Sequence, residues 1–260
     1  MNDEIIKHNF RFTLFFPNYN ILNMTSNSPD LDKGWTAYQN GDFATALKEW
    51  KPLAEQGNQH AQYCLGCMYA FGWGVPQDYK EAVRLYRLAA EKGNEFAQYN
   101  LGWMYHEGKG VTQDYKQKGE FLYRLAAKKG NAGAQFQLGE IYEGGEGVPQ
   151  DYKEAVRFYR LAAENGDPVA QNYLGGMYCE GKGVPLDYKE AVRFYRLAAE
   201  QGYADAQYNL GCMYYEGKGV PQDYKEAVRW WRLAAEQGFA IAQYNLGVMY
   251  NNGNGVPQDY

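Results

Sequence analysis

The chain has 260 residues, a formal charge of −5, 30 glycines and 25 tyrosines, and serine only at Ser26 and Ser28. A net negative charge argues against a nucleic-acid backbone as partner, because phosphate binding needs a dominant positive field. No stretch approaches the roughly eighteen apolar residues of a membrane span, so membrane insertion is not expected. Four irregularly placed cysteines, Cys64, Cys67, Cys179 and Cys212, make no disulfide framework for a chain of this size, which suits a soluble protein in the reducing cytoplasm.

Residues 1–29 open on Met1-Asn2-Asp3-Glu4, acidic where a secretory signal is basic, and their apolar run at Phe12 to Phe16 is broken by Pro17 and Asn18. They read as a disordered leader ending in the polar run Thr25 to Asp30, with Met24 as an alternative start. Residues 30–58 read as a compact helix pair joined at Asn40-Gly41, an N-terminal cap for the remainder of the chain.

From residue 59 the string Ala-Gln-x-x-Leu-Gly recurs, with its alanine at Ala61, Ala97, Ala134, Ala170, Ala206 and Ala242. A period this regular is the signature of stacked repeats. The spacing is 36 residues except across Gln117-Lys118-Gly119, where one extra residue perturbs a single unit. In each unit a first helix places apolar residues at offsets 0, 4, 7 and 8 from that alanine, as in Ala61, Leu65, Met68 and Tyr69, on one stripe. Gly66, Gly102, Gly139, Gly175, Gly211 and Gly247 lie inside these helices at a propensity cost of about 1 kcal/mol each, which implies a close neighbour there.

The first helix stops at a Gly-x-Gly-Val-Pro turn such as Gly181 to Pro185, where glycine permits positive φ and proline ends the ladder. Asp78 with Glu81, Asp151 with Glu154, Asp187 with Glu190 and Asp223 with Glu226 predict reciprocal capping boxes for the second helix, and Asp114 with Gln117 keeps the pattern in the perturbed unit. The second helix buries Ala82, Val83, Tyr86, Ala89 and Ala90 by the same periodicity. It ends at Gly93 and its equivalents Gly130, Gly166, Gly202 and Gly238 as left-handed caps. Arg87 with Glu91, and the corresponding pairs, are expected to form i,i+4 ion pairs along a solvated basic stripe. Residues 59–260 are thus five full repeats and a truncated sixth. Its stripe of Ala242, Leu246, Met249 and Tyr250 is expected to lack a partner helix, so that a longer natural chain, a partner or self-association covers that end.

Offsets 2, 6 and 9 of the first helix fall at about 180 to 240° from the core stripe; offset 2 is aromatic in five of the six units, and offsets 6 and 9 vary most. They supply the candidate partner-binding residues Tyr63, Tyr99, Trp103, His106, Phe136, Glu140, Tyr208, Tyr215 and Tyr244. Rigid aromatic rings with changing neighbours suit a peptide-binding groove. Glu107, Glu180 and Glu216 add acidic character, which points to an extended partner segment carrying basic or aromatic residues.

The full pattern, Ala-x3-Leu-Gly-x2-Tyr-x2-Gly-x-Gly-Val-x2-Asp-x3-Ala-x3-Tyr-x2-Ala-Ala-x2-Gly, resembles the Sel-1-like repeat, a relative of the tetratricopeptide repeat. The resemblance implies an all-α, right-handed α-α superhelix with first helices lining a concave face, and an adaptor role in protein complexes, often in bacterial signalling, envelope or host-interaction settings. A cysteine-rich branch of that family has been labelled β-lactamase, and by analogy a hydrolase of β-lactams or peptidoglycan fragments, with Glu140 or Glu143 as base, is the alternative reading. This sequence lacks the paired cysteines of that branch. The repeats also hold no serine nucleophile and no His-Glu-x-x-His metal helix. His60, Cys64 and Cys67 share one helix face but lack a fourth zinc ligand nearby. No catalytic residue, metal site or cofactor is therefore assigned, and the chain is read as a non-enzymatic scaffold for a protein or peptide.

Overall fold

The computed structural model describes residues 29–111 and 116–256. Among them are thirteen helices and no strand. α1 (Pro29–Gln39) and α2 (Phe43–Glu55) precede the repeats. First helices α3 (Gln59–Phe71), α5 (Glu95–His106), α7 (Ala132–Gly144), α9 (Pro168–Glu180), α11 (Ala204–Glu216) and α13 (Ala240–Asn252) alternate with second helices α4 (Tyr79–Glu91), α6 (Lys116–Lys128), α8 (Tyr152–Glu164), α10 (Tyr188–Glu200) and α12 (Tyr224–Glu236). The expected leader, apart from Pro29, and the expected cap at Asp114 lie outside the described residues.

The chain divides within α7 into two compact units, residues 1–137 and 138–260. In the first, each helix from α1 to α6 packs on the next; in the second the same holds from α8 to α13. Both are solenoid-like arrays of helix hairpins. In the first unit α1 and α2 are tied together by Trp50, whose indole donates to the Leu31 carbonyl at 3.2 Å. Tyr38 and Phe43 reach the first repeat through the Trp73 ring, at 5.5 and 6.4 Å between centroids.

The repeat motif is accounted for residue by residue. All six motif alanines are fully buried. The glutamine after each is a polar side chain with one recurrent contact. Gln62, Gln98, Gln135, Gln171, Gln207 and Gln243 each donate to a carbonyl eight residues earlier, at 3.0 to 3.2 Å. Each carbonyl, at the end of the preceding helix, also accepts from the glycine amide three residues on, so the glutamine supplies its second hydrogen bond. The helical glycines make room for a ring. A Cβ on Gly66 would stand 2.6 Å from Tyr86, and on Gly211 2.5 Å from Trp231, so the close neighbour expected there is the aromatic side chain of the second helix. In the perturbed repeat the approach is backbone to backbone, since a Cβ on Gly119 would meet the Gly102 carbonyl at 3.0 Å.

Three expectations are corrected. Asp78, Asp151, Asp187 and Asp223 do cap their helices, each accepting from two amides at 2.9 and 3.1 Å. The reciprocal half of the capping box is not used, because each aspartate's own amide donates to Tyr69, Tyr142, Tyr178 or Tyr214 of the helix before. The freed Glu81, Glu154, Glu190 and Glu226 form i,i+3 pairs with Arg84, Arg157, Arg193 and Arg229. Secondly, Arg87, Arg160, Arg196 and Arg232 do not turn to the glutamate four residues on. They donate to the hydroxyls of Tyr105, Tyr178, Tyr214 and Tyr250 in the next repeat, at 2.8 to 3.1 Å, and so bridge successive hairpins. Thirdly, the stripe of α13 is only partly bare. Ala242 and Met249 are buried in one cluster with α12, whereas Leu246 and Tyr250 are half-buried and Gly247, on which a second-helix ring lies in other repeats, faces open space.

Candidate functional site

The face carrying offsets 2, 6 and 9 is graded, and one predicted contact is wrong. Tyr63 is 0% exposed, enclosed by Tyr86 and Phe96 at 6.0 and 5.9 Å, and Cys67 and Ala70 beside it are buried too. The helix wheel placed Tyr63 opposite the core. A first helix inside an array, however, packs against a helix on either side as well as its own partner, so more than half its circumference is covered. Tyr63 is removed from the candidate contacts.

In the first unit the remaining candidates Tyr99, Trp103, His106 and Phe136 are half-buried. Tyr99 leans on Tyr123 at 5.8 Å. The Trp103 ring already receives a cation, with the Lys109 ammonium 4.3 Å above its centroid. In the second unit Glu140 and Tyr208 are half-buried, and Tyr215 and Tyr244 are exposed. Tyr208 lies between Trp231 and Phe239, at 6.4 and 5.3 Å. Burial, and then the neighbouring Cys212 thiol, push its hydroxyl above the ordinary value. Tyr244 is the most open, at 72%.

The second unit also holds features that the periodicity did not single out. Asn172 of α9 and Asn209 of α11 join side chains at 2.9 Å, tying consecutive first helices across the face. Tyr173, one residue off the expected offset, is exposed. Glu143 accepts a hydrogen bond from the Tyr159 hydroxyl at 2.7 Å; burial, then Glu143, hold that hydroxyl well above its ordinary value. Lys182 and Lys218 pair with Glu180 and Glu216, both at 2.6 Å. Of these, Glu143, Asn172, Tyr173, Glu180, Lys182 and Asn209 line a cleft of about 310 Å³ between α9 and its neighbours. The one sequence signal for it was Gly176, a glycine where other units carry a side chain.

The cysteines are free thiols. Burial pushes Cys67 up to about 12 and Cys64 well above its usual value, and it lowers His60. Among the described residues no group of three or more His, Cys, Asp or Glu side chains is placed to hold a metal ion, the trio of His60, Cys64 and Cys67 included. Among the described residues no helix is long and apolar enough to cross a membrane.

Comparison with known proteins bears on both fold and role. The Sel1 repeat matches residues 59–94, 96–131, 132–167, 168–203, 204–239 and 240–260. The chain is similar to a protective antigen present in uropathogenic Escherichia coli strains displaying an SLR fold, at 37% identity and a TM-score of 0.82 over 93% of this chain and 54% of that one. It thus spans about half the length of that protein. A Sel1 repeat protein from Oxalobacter formigenes is 32% identical, with a TM-score of 0.79, over 89% of this chain and 92% of that one. No curated protein sequence matches. Proteins built from this repeat are in general protein–protein interaction scaffolds, and the fold is typically non-catalytic. With six repeats in register across residues 59–260, the chain belongs to the Sel1 repeat family.

Proposed function

We propose that this chain is a non-enzymatic scaffold that holds an extended segment of a partner protein on its first-helix face, the face that the family resemblance makes concave. The observation that carries the reading is the split between two sets of positions. Offsets 0 and 7, nearly constant from repeat to repeat, are buried in every repeat, whereas the mostly aromatic offset 2 and offsets 6 and 9, which change from repeat to repeat, are part-exposed or exposed from the second repeat onward. Packing explains the first set and leaves the second free to recognise. Aromatic rings of fixed conformation offer contact area at little entropic cost, and the Asn172–Asn209 bridge presents amide groups to a peptide backbone. Glu143, which a hydrolase would use as its base, is engaged by Tyr159, and the scaffold reading needs no such group.

Affinity capture of the native partner tests the reading. Tyr99→Ala with Trp103→Ala in the first unit, and Tyr208→Ala in the second, should each weaken capture about tenfold or more, as expected for aromatic anchors, with melting temperatures close to the parent's. Undiminished capture by all these variants contradicts it.

A further inference from the structure

In the first, third, fourth and fifth repeats the second-helix ring lies on the first-helix glycine, with its polar atom carried through toward the binding face. In three of these it finds a partner there. The Tyr86 hydroxyl donates to the Cys67 sulfur at 3.3 Å, that of Tyr159 to the Glu143 carboxylate at 2.7 Å, and the Trp231 indole to the Tyr208 carbonyl at 3.1 Å. Tyr195 differs. Its ring lies on Gly175 and the residue is only 6% exposed, yet among the described residues no side chain or carbonyl hydrogen-bonds to its hydroxyl. That hydroxyl lies 3.7 Å from where a Cβ on Gly176 would stand. Cys67, Trp103, Glu140, Cys212 and Val248 occupy the equivalent position elsewhere, so Gly176 opens the path from Tyr195 into the cleft of about 310 Å³.

The cleft lies at the small end of ligand sites, roughly 300 to 1,000 Å³, a size for one side chain and not for a cofactor. Its lining is acidic and rich in acceptors. Of its charged groups Lys182 is neutralised by Glu180 at 2.6 Å, which leaves the Glu143 carboxylate, fixed by Tyr159, with an oxygen to spare. The sign of the field is legible at Tyr173 in the same lining: burial, then Glu140, Glu143 and Asp205, raise its hydroxyl above the ordinary value. An occupant must bring several donors to a carboxylate, a hydroxyl and the Asn209 amide, together with an apolar stem to lie along Tyr173 and Met177. A guanidinium meets these demands with five donors in a planar fork and a preference for aromatic faces, whereas an ammonium is a compact, strongly hydrated point charge.

We propose that this cleft is a socket for an arginine side chain of the partner segment, its guanidinium held between the Glu143 carboxylate and the Tyr195 hydroxyl and its stem against the Tyr173 ring. The socket rests on the reading of the first-helix face as a docking surface and gives that surface a specificity. Titration of the full chain with Nα-acetyl-arginine N-methylamide, followed by nuclear magnetic resonance, should give a saturable shift of the Gly176 amide. The citrulline analogue, equal in shape but uncharged, should bind at least about tenfold more weakly, and so should the arginine derivative to Glu143→Gln, the loss that about 1.4 kcal/mol carries. Tyr195→Phe should bind a few-fold more weakly, and Gly176→Leu, followed at the neighbouring Gly175 and Met177 amides, should show no saturable shift; if Gly176→Leu fails to fold, Glu143→Gln carries the same test.

Equal binding of arginine and citrulline, or no saturable shift at Gly176, overturns the socket. Partner capture separates the two readings. If Tyr208→Ala loses the partner while arginine and citrulline bind alike, the docking face stands and the socket falls. If the arginine derivative binds as expected while every face variant captures the partner undiminished, the docking face falls, and with it the peptide origin of the arginine.

Discussion

A glycine inside a helix normally weakens it, and in this chain the weakening is offset by the ring that takes the place of the missing side chain. At Gly66 an added Cβ would press on Tyr86 at 2.6 Å, and Tyr86 is fully enclosed and cannot yield. Gly66→Ala should therefore destabilise the protein by about 1–3 kcal/mol, the usual cost of overpacking. Gly247→Ala, where nothing stands within 4 Å, should instead stabilise by up to about 1 kcal/mol through helix propensity. Urea denaturation of the two variants checks the opposite signs. The buried hydroxyls give a second expectation. Tyr159 and Tyr195 ionise above the ordinary tyrosine value when folded, chiefly through burial, and near about 10 when unfolded. The unfolded chain thus loses its protons first, so their contribution is constant below about pH 10 and is lost as pH rises through the folded values. Urea midpoints should fall between about pH 8 and about pH 11, together with the appearance of tyrosinate absorbance; a flat midpoint across that range contradicts the burial.

At the level of elements, the hairpins are held in register by contacts that cross from one helix to the next. Gln171 donates to the Ala163 carbonyl and accepts from Gln201 at 2.8 Å. Gln171→Leu removes both hydrogen bonds, while the Ala163 carbonyl keeps the Gly166 amide and exposed Gln201 keeps the Leu197 carbonyl, and should cost about 0.5–1.5 kcal/mol. The same change at exposed Gln243 should stay within about 0.5 kcal/mol, as thermal unfolding will show. Helices, caps and core alanines were all legible in the sequence, because periodicity and capping are local rules that each repeat states again. Contacts made over about eighteen residues were not. Arg87 and Glu91 satisfy the local rule for an ion pair, but Tyr105 of the next repeat offers the guanidinium a partner that no window of one helix contains. Glu81 is diverted to Arg84 for the same reason, since Tyr69 has already accepted from the Asp78 amide.

For the whole molecule the question is which surface recognises a partner. The division between core and variable positions was readable from comparison of the six units: Tyr215 and Tyr244 are exposed and Tyr208 is half-buried. It failed at Tyr63 because the wheel of one helix ignores the helices packed on its flanks. It passed over the cleft beside Gly176 because that site arises from a missing side chain on α9 and a hydroxyl supplied by α10, features that gain meaning only when superposed. The recognition face is tested most directly by photo-cross-linking in the native cell, with benzoylphenylalanine placed singly at Tyr99, Tyr208, Tyr244 and, on the outer side of a second helix, Arg157. The account predicts cross-links to a partner protein from the first three positions, and none from Arg157. Cross-links from Arg157 alone would contradict it.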